Sequence, residues 1–155
     1  AHGGGRDRYD NVRIGTNSRL DTLQAAILIE KLPLLEKEIM ARNEVAMRYS
    51  SGIKGLVRTP VVMPDRISAW AHYTVQMANR TDVSSSLKVR GVPTAIYYPK
   101  PLHLQVAYQK FPCAPGGLRV SEKLAESVLS LPMHPYLQKG QQDFVIEGLM
   151  REFYS

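Results

Sequence analysis

Between Leu20 and Tyr49 apolar residues recur at helical spacing, and a proline stands in the middle of the run. Leu20, Leu23, Ile27 and Leu28 follow one another at three- and four-residue steps, which gathers them on one helical face. Pro33 has no N–H and clashes with the preceding turn, so it ends or kinks that helix. Proline is also at home in a first helical turn, so a second helix can begin at once. Leu35, Ile39, Arg42, Ala46 and Tyr49 mark its face, and Gly52 and Gly55 stop it. The spacing therefore predicts a helical pair over residues 20–52, with its caps among Thr16, Asn17 and Ser18; Ser18 and Asp21 resemble a capping box.

Beyond the pair, Pro60 and Pro64 mark an extended connection, and residues 69–78 form a β-rich run with partial alternation, predicting a strand. Residues 81–91 start with a Thr or Asp cap, place Val83 and Leu87 four apart and end in Gly91, predicting a short helix. A second strand is expected at 94–98. Residues 99–117 contain four prolines and two glycines and read as loop, with one helical turn near His103. A helix over 121–128, a very short strand at 129–131 and a terminal helix over DFVIEGLMREFY complete the order. The fold class is α+β, with helices covering a small strand layer.

At 155 residues, 44% of them hydrophobic, the chain can bury one core of its own. No apolar run approaches the roughly 18–20 residues of a membrane span. The lone Cys113 cannot form an internal disulfide and no secretory pattern opens the chain, which together point to a reducing, cytoplasmic setting. The start, AHGGGRDRYDNVRIG, lacks Met and is Gly-rich and irregular, so the chain reads as an internal fragment of something larger. A net charge of +6 favours anionic partners, but the basic residues are spread along the chain. The densest stretch, RDRYDNVR, has two Asp among its three Arg and no interleaved aromatics follow, so nucleic acid is not expected.

Asn17 and Arg19 precede the first helical face. Spacing alone favours Asn17 as an N-cap, because its amide can accept from free backbone N–H groups. Arg19 fits less well, since a cation in a first turn opposes the positive end of the helix dipole. A guanidinium, an amide and helix N–H groups together would suit a phosphate or carboxylate; solvated surface is the competing reading for Arg19. Tyr97 and Tyr98 stand where a strand meets the Pro-rich loop, placed either for ordinary packing or to touch a ligand. His72, His103 and His134 share no helical face and no Cys pair accompanies them, so no metal site is expected; His103, in the loop, suits ligand contact best. HGGG at His2 lacks the downstream elbow of a lipase.

Read together, GTNSRLDTLQAAIL, HYTVQMANR, GVPTAIYYPKPLHLQ and LSLPMHPYL resemble, in order, the C-terminal part of the DegT/DnrJ/EryC1/StrS family of sugar aminotransferases. The resemblance implies the small C-terminal domain, with long interdomain helices, of a type I aspartate-aminotransferase-like fold. Residues 1–19 would then be an interdomain and active-site segment, 20–52 the helical pair and 53–155 the α+β layer. It implies pyridoxal phosphate (PLP) at a homodimer interface, held covalently by a lysine of the large domain. None of the eight lysines here has the family's Ser-x-x-Pro-x-Lys setting, so the chain alone is expected to be inactive. The motif G-x-N-x-R matches Gly15, Asn17 and Arg19, assigning Asn17 to the cofactor phosphate across the dimer and Arg19 to the nucleotide-sugar of the neighbouring subunit. Members commonly have His-Tyr-Pro where this chain has Tyr97, Tyr98 and Pro99; Tyr98 carries over as a substrate contact, and Tyr97 departs from the pattern. The implied substrate is a keto UDP-sugar, a UDP-3-oxo-N-acetylglucosaminuronic acid of bacterial surface polysaccharide such as lipopolysaccharide O-antigen, with an amino donor such as glutamate. A non-catalytic anion- or sugar-nucleotide-binding module derived from the family is the second reading.

Overall fold

The structure is a computed structural model that describes residues 4–7, 9–15 and 21–154. Helix α1 spans Thr22–Lys31, a 3-10 turn Leu32–Leu34 carries Pro33 in its first turn, and α2 spans Leu35–Gly52. The proline breaks the hydrogen-bond ladder and the helix restarts without a loop, as the spacing predicts. Strand β1 is Tyr73–Gln76, α3 is Arg80–Val89, a 3-10 turn covers Leu102–Leu104, and α4 is Arg119–Ser127. Strand β2, Val128–Leu131, follows directly, and α5, Lys139–Tyr154, closes the chain.

The sheet is a two-stranded antiparallel ribbon in which Tyr73 faces Leu131 and Gln76 faces Val128. Single bridges extend both edges, Arg58 beside Gln76 and Ala95 beside Ser130. Such a ribbon is marginal alone. It is stabilised by packing: α2, α3 and α5 bury Val45, Tyr49, Leu87 and Leu149 against Tyr73, Val75 and Leu129. Burying each of these large side chains contributes about 1.5–3 kcal/mol.

Three expectations need correcting. The N-cap of α1 is Asp21, whose carboxylate accepts the Gln24 N–H at 2.8 Å, and not one of residues 16–18. The strand expected over 69–78 shrinks to four residues, because Trp70 takes a left-handed φ of +47° just before it and α3 begins at Arg80 just after it. The strand expected at 94–98 reduces to the Ala95 bridge: Pro93 and Pro99 have no N–H to donate, and Tyr98 leaves the extended region at φ +57°.

The apolar face of α1 is present but uncovered. Leu23, Ile27 and Leu28 are 73%, 54% and 53% exposed, and the helix buries no residue. On α2 the expected face is half right. Ala46 and Tyr49 are buried with Val45, whereas Leu35 is exposed and Arg42 is drawn to the carboxylate of Glu38. That carboxylate also accepts the Tyr136 hydroxyl at 2.8 Å, an interaction that holds its pKa below the ordinary value, with Lys31 and Arg42 acting in the same direction against burial.

Candidate active site

Residues 99–117 are irregular, as their prolines require, yet a buried glutamine ties them down. Gln105 is 3% exposed; its side-chain oxygen accepts the Asn11 N–H at 3.0 Å and its amide donates to the Tyr9 carbonyl at 2.6 Å. The Ala107 N–H adds a bond to the Asn11 carbonyl at 3.2 Å. These bonds satisfy backbone groups that would otherwise be costly to bury. They also fasten the segment ending at Gly15 beside the loop. Asn17 and Arg19, next in the chain, lie outside the described residues.

Beside this junction is a cleft of about 570 Å³ whose walls include His72, Tyr97, Tyr98, His103, Tyr108 and Phe111. Three residues singled out from sequence, Tyr97, Tyr98 and His103, therefore meet in one cavity. Tyr97 stacks on His72 with ring centroids 4.0 Å apart. Tyr98 is 71% exposed and meets Tyr9 edge-on at 6.4 Å. The His103 Nε2 lies 3.0 Å from the Glu122 carboxylate, which fixes the imidazole on the 3-10 turn against α4. A smaller cavity of about 230 Å³ shares His72 and Tyr97 with the cleft, so the stacked pair stands between the two.

Two members of the site carried no functional signal in the sequence. His72 was visible only as an unlikely metal ligand, although strand alternation puts it with Thr74 on the face opposite Tyr73 and Val75, and both line the cleft. Gln105 is a polar residue in a polar loop, and only tertiary structure reveals its burial. Among the described residues, no group of His, Cys, Asp or Glu side chains could hold a metal ion.

The walls are aromatic and apolar, with imidazole and hydroxyl groups interspersed, and among the described residues no Lys or Arg lines them. Such a surface suits the faces of a sugar or a planar base and offers no counter-charge to a phosphate. The described residues thus fit an organic substrate better than the phosphate of a cofactor.

The sequence profile of the DegT/DnrJ/EryC1/StrS aminotransferase family matches residues 1–150. The chain is 50% identical over 151 residues to a UDP-2-acetamido-2-deoxy-3-oxo-D-glucuronate aminotransferase of Pseudomonas aeruginosa, covering 96% of this chain and 40% of that protein. It superposes on the crystal structure of a DegT DnrJ EryC1 StrS aminotransferase from Brucella abortus with a TM-score of 0.85 and 49% identity, covering 99% of this chain and 41% of the other. NtdA of Bacillus subtilis, solved with bound cofactor PMP, matches with a TM-score of 0.75 and 30% identity, covering 97% of this chain and 36% of the other. The chain thus spans about two fifths of the length of these relatives. Its α+β fold is theirs, and the chain belongs to the DegT/DnrJ/EryC1/StrS aminotransferase family.

Proposed function

We propose that the chain is the C-terminal, substrate-side part of a PLP-dependent aminotransferase that aminates the keto carbon of a UDP-linked sugar, a UDP-3-oxo-N-acetylglucosaminuronic acid, for a bacterial surface polysaccharide. The observation that carries this reading is the convergence of Tyr97, Tyr98 and His103 on one aromatic cleft, in a chain half identical to an enzyme named for that substrate. Residues 1–19 bring the interdomain and active-site segment, 20–52 the helical pair and 53–155 the α+β layer that closes the site. The enzyme works as a cytoplasmic homodimer, with glutamate as amino donor.

Within it, Asn17 holds the cofactor phosphate and Arg19 meets the nucleotide-sugar of the neighbouring subunit. The cap of α1 belongs to Asp21, which supports this assignment by removing the structural role that spacing offered Asn17. Tyr97 and Tyr98 present ring faces and hydroxyls to the substrate, and His103, steadied by Glu122, closes the cleft beneath it. PLP supplies the electron sink for moving the amino group. The lysine that holds it belongs to the preceding large domain, so residues 1–155 alone do not turn over.

The test uses the full-length protein supplied with PLP. A visible absorbance band bleached by borohydride, together with glutamate-dependent amination of the keto UDP-sugar, is the expected result. A folded protein with no such band supports the second reading, a binding module without chemistry. Arg19→Ala should raise KM for the UDP-sugar and leave the band intact, and Asn17→Ala should weaken PLP retention. An unchanged KM in the first variant removes Arg19 from the site.

A further inference from the structure

Trp70 sits at φ +47°, a conformation that is costly for a bulky aromatic and persists only where the surroundings hold it. What holds it is Asn43, in the middle of α2. The Asn43 side-chain oxygen accepts the Trp70 Nε1–H at 2.9 Å, and its Nδ2 donates to the Ser68 carbonyl at 3.1 Å and to the Ile39 carbonyl at 2.7 Å. The Trp70 backbone N–H reaches the Ser68 hydroxyl at 3.2 Å, and the indole packs 5.6 Å from the Tyr73 ring. Two residues after the strained position is His72, stacked on Tyr97 in the wall between the two cavities.

An asparagine inside a helix is a poor helix former and a poor filler of apolar space. Here its amide serves to bind a loop into a left-handed bend. That bend lies at the entry of the chain into β1, where strand alternation puts His72 on the cleft face. We propose that Asn43 and Trp70 are positioning residues for His72: they hold its imidazole against Tyr97, and the paired rings orient the sugar-nucleotide in the cleft. The consequence for substrate rests on the function proposed above, whereas the positioning itself rests on geometry alone.

The test uses Trp70→Phe, which keeps an aromatic ring beside Tyr73 and removes the Nε1–H together with the indole's second ring, and Asn43→Leu, which removes the whole clamp. In the full-length enzyme both should raise KM for the keto UDP-sugar about tenfold and change kcat by less than about twofold, since a small misplacement of a binding group is enough for such a loss. His72→Ala should raise KM similarly and show no further rise when combined with Trp70→Phe, because coupled residues are not additive. Independently of activity, the His72 ring protons, shifted upfield by the Tyr97 ring, should move downfield in both clamp variants. Unmoved His72 resonances overturn the positioning role. Moved resonances with an unchanged KM overturn its consequence for substrate. Should the parent enzyme not aminate the sugar at all, the function reading fails and the His72 resonances still decide the positioning.

Discussion

Two tyrosine pairs illustrate how one residue type serves opposite ends in this molecule. Tyr49 and Tyr73 are both fully buried, with rings 5.1 Å apart. The Tyr49 hydroxyl donates to the Pro132 carbonyl at 3.0 Å, and that of Tyr73 shares a bond with Ser50 at 2.8 Å. Tyr97 and Tyr98 adjoin in sequence but turn apart, one onto His72 and the other toward solvent at a left-handed φ. The first pair is satisfied inside the protein. The second leaves ring faces and hydroxyls for something outside it, and the difference separates what holds the fold from what the fold presents.

The largest expected effect would break this comparison outright. Tyr73→Ala should cost about 3–5 kcal/mol in urea unfolding, the range for removing a large buried ring, while Tyr98→Ala should stay within about 0.5 kcal/mol. Equal losses would erase the distinction. Next, Tyr49→Phe leaves the Pro132 carbonyl without its partner and should cost about 1–2 kcal/mol. Burial pushes the phenols of Tyr49 and Tyr73 up from the ordinary 10.0. Because the unfolded chain ionises first, the contribution of these two phenols should be level below pH 10 and fall as the pH rises through and beyond it, and Tyr49→Phe should blunt that fall.

Tyr98→Gly has the opposite sign. Relieving a left-handed tyrosine should offset glycine's extra chain entropy and leave the protein up to about 1 kcal/mol more stable, with weaker substrate binding. A loss of stability would mean that Tyr98 belongs with the core pair. The smallest effect sharpens the comparison through Tyr136, whose ring is exposed while its hydroxyl is bonded to Glu38. The Glu38 pKa is lowered, so its contribution should be present above the ordinary 4.5 and disappear as the pH falls through its folded value. Glu38→Gln should flatten that acid limb in a pH series of thermal midpoints.

Legibility in the sequence followed the same division. The helix break at Pro33, the pairing of Val83 with Leu87 inside α3 and the helical turn near His103 were all readable, because local sterics and spacing determine them. The aromatic pair at 97–98 and the polar pair Asn17 and Arg19 were readable as candidates, and the family resemblance added roles for Asn17 and Arg19, which fall outside the described residues. Not readable were the bend at Trp70, the burial of Gln105 and the stacking of His72 on Tyr97, since each depends on a partner 25 or more positions away. The exposed face of α1 shows the converse limit: periodicity marks which face is apolar and is silent on what covers it.

The most direct test of the cleft assignment is calorimetric binding of the aminated UDP-sugar to the full-length protein, comparing the parent with Tyr98→Ala and Tyr49→Phe. At least about a tenfold loss of affinity is expected for Tyr98→Ala, the scale of an aromatic contact residue, and parental affinity for Tyr49→Phe. Parental affinity in Tyr98→Ala would remove Tyr98 from the substrate cleft.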